Sequence, residues 1–166
     1  MQTPPHVATP GPTNDAAIGD IESALHSLLR SLKQTKLHEY LLTKAGVDVD
    51  RAGTALLYVL YTEGTCLRVT DLAEQLQIEA PAVTRKAQQL EQSGLVSRAP
   101  DPNDGRATLL RLTVRGRRTI NRILAVRRDW LTALLADWPE ASRVECARLL
   151  GRLTNNINQY VKEFDA

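Results

Sequence analysis

Between residues 81 and 92 the chain reads Pro-Ala-Val-Thr-Arg-Lys-Ala-Gln-Gln-Leu-Glu-Gln. Wound as a helix at about 100° per residue, this stretch puts Val83, Ala87 and Leu90 on one side. Pro81, Arg85, Gln88 and Gln92 fall on the opposite side, with Ala82, Thr84, Lys86 and Gln89 on the flanks. No large apolar residue occupies the outward face. Such a face can form paired hydrogen bonds with planar polar edges. Arginine donates twice to guanine O6 and N7, glutamine pairs with adenine N6 and N7, and the methyl groups of alanine and threonine meet that of thymine. A polar outer face is also the ordinary condition of a helix in water, so its meaning depends on what surrounds it.

A second group with usable chemistry follows in Asp104-Gly105-Arg106, inside the turn-forming run Pro100-Asp101-Pro102-Asn103-Asp104-Gly105. These residues are expected at the tip of a β-hairpin, from which Arg106 would project. An arginine on a ribbon tip can enter a narrow minor groove, where negative potential is concentrated. Asp104 can orient the guanidinium through a charge-assisted bond. The competing reading is an exposed arginine in a local ion pair, which contributes little energy. The surrounding charge is uneven. Residues 81–128 hold eleven basic and three acidic side chains, although the formal charge of the whole chain is only +2. The remainder is therefore acidic overall, and a basic segment set in an acidic chain suits either a surface that meets a polyanion or a solvated charged face.

The elements that must position these groups can be read from periodicity. A helix is expected from Asn14 or Asp15, either of which can cap it, to Gly46, with Ile18, Ile21, Leu25, Leu28 and Leu32 at helical spacing. A second covers residues 51–63. A short third begins with Thr70 as its cap, and a fourth opens at Pro81 and ends at Gly94. The period then changes. Residues 95–99 and 107–112 read as the two strands of a hairpin. Thr113 can cap a long helix that Pro139 terminates, and a last helix carries Cys146, Leu149, Leu150, Leu153, Ile157, Tyr160 and Phe164. The expected fold class is mainly α with a small β-hairpin wing: a winged helix-turn-helix flanked by N- and C-terminal dimerisation helices. Its divisions are a disordered tail over residues 1–13, an N-terminal dimerisation helix over 14–48, the winged unit over 49–113 and C-terminal dimerisation helices over 114–166.

Composition narrows the alternatives. The 166 residues are 43% hydrophobic and 24% charged, enough apolar matter for a core in a chain that stays dissolved. With aromatics at 4%, that core must be built from Leu, Val, Ile and Ala. Two cysteines far apart make no disulfide framework, and no CxxC occurs. No secretory leader and no apolar run of membrane-spanning length is visible, so the expected location is the cytoplasm. P-loop, GxSxG, HExxH and dinucleotide-binding glycine patterns are all missing, so no enzyme activity, cofactor or metal site is expected. Glu22 with His26, and His38 with Glu39, lack the clustered ligands of a metal centre.

Taken in order, Val69-Thr70-Asp71-Leu72-Ala73, Pro81-Ala82-Val83-Thr84-Arg85, Leu90-Glu91-Gln92-Ser93-Gly94-Leu95-Val96, Asp101-Pro102-Asn103-Asp104-Gly105-Arg106-Ala107 and Leu110-Arg111-Leu112-Thr113 with Gly116 resemble the MarR (multiple antibiotic resistance regulator) family over about residues 50–120. The resemblance implies a homodimeric, sequence-specific regulator of transcription on double-stranded DNA. It implies a repressor of a pseudo-palindromic operator that a small-molecule effector releases. By position, Ala82, Thr84 and Arg85 would sit in the major groove with Pro81, Gln88 and Gln89 beside them. Arg106 would be the minor-groove contact, Asp104 would position it, and Thr70 would lie near a phosphate. The family often carries Ser or Thr where this chain has Ala82, so one hydroxyl contact is missing. Tyr58, Tyr61 and Trp130 are either core residues or the lining of a pocket for an aromatic or phenolic effector. Cys66, two residues from Arg68, offers a thiol-redox switch as an alternative. A winged-helix protein-interaction module without operator binding is the other.

Overall fold

The computed structural model describes residues 12–64, 66–101 and 104–164, with the side chains of residues 12–14, 105–107 and 164 outside the description. The chain divides into two compact units, Met1–Arg51 and Ala52–Ala166.

In the first unit the single long helix expected from the sequence is two helices, α1 (Pro12–Leu32) and α2 (Thr35–Ala45). Helix α1 also starts two residues ahead of the expected cap at Asn14. The break comes from the backbone. Lys33 N–H still donates to the Leu29 carbonyl at 3.0 Å, but Gln34 N–H reaches back only to Ser31, at 3.3 Å. Gln34 is then extended (φ −62°, ψ 122°) and caps α2 without a side-chain hydrogen bond. Arg51 Nη1 donates to the Lys33 carbonyl at 3.4 Å, supplying a partner for one of the carbonyls that a helix end leaves open. Helix α2 ends as expected at Gly46, which takes φ 61°, the left-handed turn a glycine enters without a Cβ clash.

The second unit continues α3 (Arg51–Thr62) and adds β1 (Leu67–Arg68), α4 (Val69–Leu76), α5 (Ala80–Gln92), β2 (Val96–Asp101), β3 (Asp104–Leu112), α6 (Val114–Leu134) and α7 (Glu140–Phe164). The fold class is the expected one, with one addition. The hairpin is part of a three-stranded antiparallel sheet in the order β1-β3-β2. Strand β1 is two residues long, pairing Leu67 with Leu110 and Arg68 with Leu109. Leu56, Leu57, Leu60, Leu72, Val83, Ala87, Leu90, Leu95, Val96, Leu110, Ile120 and Ile123 form the buried core, aliphatic as the composition requires.

Helix α6 begins as the sequence predicts. Thr113 Oγ1 accepts from Gly116 N–H at 2.9 Å, satisfying one of the donors a helix start leaves open. The same hydroxyl donates to the Gly94 carbonyl at 2.7 Å. Thr113 N–H donates to the Leu95 carbonyl at 3.1 Å. The end of the α5 segment, the hairpin and α6 are therefore joined at one point.

Two helices present apolar side chains outward. Along α7, Val144, Leu149, Leu150, Ile157 and Tyr160 are exposed, and no described residue of that helix is buried. Along α1, Ile18, Ile21, Leu28, Leu29 and Leu32 are exposed.

Candidate nucleic-acid interface

Helix α5 is held by its inner face, where Val83, Ala87 and Leu90 are all buried. Pro81 stands in its first turn, where the missing N–H is no loss. The helix closes through Leu95 N–H on the Leu90 carbonyl at 2.8 Å and the left-handed Gly94, φ 68°. The Glu91 carboxylate accepts from Arg98 Nε at 2.9 Å, tying the last turn of α5 to β2. With the inner face so fixed, Pro81, Arg85, Gln88 and Gln89 are exposed on the outer side, while Ala82 and Thr84 are half-buried at its edges.

Hydrogen bonds within the helix shape what this face offers. Thr84 Oγ1 donates to the Ala80 carbonyl at 3.0 Å, so its hydroxyl hydrogen is used internally. The threonine presents a methyl group and an oxygen acceptor outward. Gln89 Oε1 accepts from Lys86 Nζ at 2.6 Å, which leaves the Gln89 amide N–H donors available. Among the described residues Arg85 has no ion-pair partner, so its five donors are not committed.

Helix α4 differs from expectation at its start. Its N-cap is Arg68, not Thr70. The orphan donor is satisfied in reverse, by the Asp71 carboxylate accepting from Arg68 N–H at 3.2 Å. Thr70 lies exposed in the first turn with Oγ1 at 3.3 Å from Asp71 Oδ1.

The hairpin tip also shifts. Strand pairing continues to Asp101 opposite Asp104, with an irregularity between Pro100 and Asp101. Strand β2 runs to Asp101 and β3 starts at Asp104, so Asp104, Gly105 and Arg106 open the returning strand. The expected Arg106 contact depends on a side chain outside the described residues. Asp104 Oδ2 lies 4.0 Å from Arg68 Nη1, a partner the sequence did not suggest.

The pairing of Arg68 beside the candidate site was not expected from the sequence. Arg68 Nε and Nη2 both donate to Asp101 Oδ2, at 2.8 and 2.5 Å. The Asp101 side chain is 6% exposed, against 41% for Arg68. Hydrogen bonding to Asp101, and then its charge, hold the Arg68 guanidinium above its ordinary pKa. The two residues are 33 apart in sequence, and no periodic pattern links them. Cys66 is exposed, and Arg68, two residues on, is engaged with Asp101.

The candidate effector residues are distributed as follows. Tyr58 is exposed on α3. Tyr61, one turn later, is half-buried with Arg117 Cζ 5.9 Å from its ring centroid. Trp130 is half-buried on α6. Among the described residues no three His, Cys, Asp or Glu side chains converge on a metal-sized site. Nor is any described helix long and apolar enough to cross a membrane.

The sequence profile of the MarR family matches residues 51–108, the span from α3 through α4, α5 and β2 into the first half of β3. The chain is 34% identical over 115 residues to the HTH-type transcriptional regulator YdgJ of Bacillus subtilis (strain 168), covering 69% of this chain and 70% of that protein. This chain belongs to the MarR family. A second relative, the HTH-type transcriptional repressor MdtR of Bacillus subtilis (strain 168), is 28% identical across 84% of this chain and 86% of its own length. The structure of a MarR family protein from Bacillus stearothermophilus superposes with a TM-score of 0.77 at 22% identity, over 87% of this chain and 97% of that one, which establishes the shared fold. The protein is thus a transcription regulator of the MarR family rather than an enzyme.

Proposed function

We propose that this MarR-family chain is a homodimeric repressor that reads a pseudo-palindromic operator with α5 in the major groove and the β2–β3 wing beside it. The observation that carries the reading is the outer face of α5. Arg85, Gln88 and Gln89 are exposed there while Val83, Ala87 and Leu90 are buried, so a base-reading set is held on a rigid element. Repression is inferred from the relative MdtR, a transcriptional repressor. Thr70 serves a phosphate from the first turn of α4, and Ala82, Thr84 and Pro81 supply close apolar contact. Arg106, positioned by Asp104, enters the minor groove. Tyr58, Tyr61 and Trp130 receive an aromatic or phenolic effector whose binding releases the operator, and the protein acts in the cytoplasm.

The experiment is selection of bound fragments from the source genome, followed by titration of the best site against salt. Affinity is expected to fall steeply with salt while the preference for one operator over unrelated DNA persists. A protein that binds every fragment alike, or none at low salt, does not have this function.

The exposed rows on α1 and α7 support the dimer. A two-fold interface uses each residue twice. Leu150→Glu removes an apolar contact of roughly 1.5–3 kcal/mol from each copy and is expected to turn the dimer into monomers. Light scattering after gel filtration reads the mass directly. If the variant keeps the parental mass, α7 is not the interface.

A further inference from the structure

The wing is a weak element by construction. Strand β1 pairs with Leu109 and Leu110 of β3, so among the described residues the outer part of the hairpin, from Pro100 opposite Thr108 to Asp101 opposite Asp104, has no third strand. A two-stranded ribbon is marginally stable in water. At its far end, where the register is irregular, the Asp101 carboxylate is nonetheless buried, and Arg68 reaches it. Arg68 Nε and Nη2 both donate to one oxygen, at 2.8 and 2.5 Å, and Nη1 lies 4.0 Å from Asp104. Arg68 is at the same time the last residue of β1 and the cap of α4. One side chain therefore connects the outer wing to the start of the helix that braces α5.

We propose that Arg68 and Asp101 form a latch that fixes the wing relative to the helix-turn-helix, making both of them positioning residues for operator binding. The inference rests on the reading of α5 and the wing as the DNA-contacting elements. With the latch closed, the β3 segment that opens with Asp104, Gly105 and Arg106 is presented in one place. With it open, the ribbon must be ordered when DNA binds, and affinity falls by the free energy of that ordering. A direct role for Arg68 at a phosphate makes the opposite prediction. Asp101→Ala releases the guanidinium and deletes a negative charge, so a phosphate-binding Arg68 would bind DNA more tightly in that variant. The latch requires that it bind less tightly.

The test is a double-mutant cycle on the full-length protein, read by fluorescence anisotropy with the genome-selected operator. Asp101→Ala is expected to weaken binding about tenfold, and Arg106→Ala made in that background is expected to lose about the same factor of its effect. Arg68→Lys keeps the charge but not the fork of donors. It should behave as Asp101→Ala does, and it carries the test if the alanine variant fails to fold. Hydrogen exchange on the free protein gives a second readout: amides of β2 and β3 should exchange about tenfold faster while those of α3 and α5 keep their protection. Unchanged or tighter operator binding by Asp101→Ala, or an undiminished Arg106→Ala effect, overturns the latch. If Arg106→Ala has no effect even in the parent, the DNA reading of the wing has failed instead. Hydrogen exchange then decides the latch alone, with unchanged β2 and β3 protection overturning it.

Discussion

Replacing Gly116 by alanine is expected to destabilise the protein by roughly 2–4 kcal/mol, although the substitution improves helix propensity. Within a helix, glycine to alanine gains about 1 kcal/mol, so the steric term must exceed that gain. It does so because of what faces Gly116. A Cβ there would stand 1.9 Å from the Leu95 carbonyl oxygen, 2.9 Å from its carbon and 3.3 Å from Leu112 Cδ2. The first two are backbone atoms and cannot rotate away as a side chain can. The Leu95 carbonyl is also held in place by Thr113, whose N–H donates to it at 3.1 Å. Making room means lifting α6 from the base of the hairpin, where Leu95, Val96 and Ile120 are buried in an interior that packs like a crystal. Urea denaturation followed by circular dichroism measures the change. A midpoint equal to or above that of the parent would show that the junction yields cheaply, and the steric argument would be wrong. Operator affinity should fall with stability in this variant, since the point that moves joins α5, the wing and α6.

The parts of this fold that were legible in the sequence are those that local rules determine. The inner face of α5 follows from a 3.6-residue period, and Val83, Ala87 and Leu90 are buried as that period requires. Thr113 caps α6 because a threonine before a helical run has an acceptor within reach of the third N–H. The hairpin follows from a dense turn cluster between two short runs of strand residues. The parts that were not legible depend on residues far apart. Strand β1 exists only because Leu67 and Arg68 meet Leu110 and Leu109, and two residues carry no alternation to read. The break between α1 and α2 has neither proline nor glycine at residues 33–34, the usual causes of a kink. The cap of α4 moved from Thr70 to Arg68 because Asp71, three residues on, supplies the acceptor itself. In the candidate site the helical face was visible, since spacing alone sorts inward from outward positions. The Arg68–Asp101 pair was not, because it depends on a wing folding back toward a strand that the sequence did not show.

Arg85→Ala is expected to weaken operator binding by roughly 1–3 kcal/mol per half-site and to relax the preference at one base pair in each. The argument begins with the side chain's surroundings. Arg85 is exposed, on a helix whose opposite face is buried, and it has no ion-pair partner among the described residues. Removing it therefore leaves the free protein's stability nearly unchanged, because surface positions without partners lie within about 0.5 kcal/mol of neutral. The loss must then appear in the complex. A bidentate arginine discriminates among bases because its fork matches guanine O6 and N7. Arg85→Lys, which keeps the charge and loses the fork, should consequently lose base preference while keeping most of the salt dependence. Arg106→Ala provides the contrast. A minor-groove arginine reads width and potential more than base identity, so its loss should lower affinity for operator variants by similar factors. Competition binding against a panel of single-base operator variants at constant salt separates these patterns. Should both alanine variants bind the panel as the parent does, the assignment of these residues to the grooves is wrong. If instead Arg85→Ala lowers all affinities evenly, the arginine touches phosphate, and base reading passes to Gln88 and Gln89, which are also exposed donors on that helix.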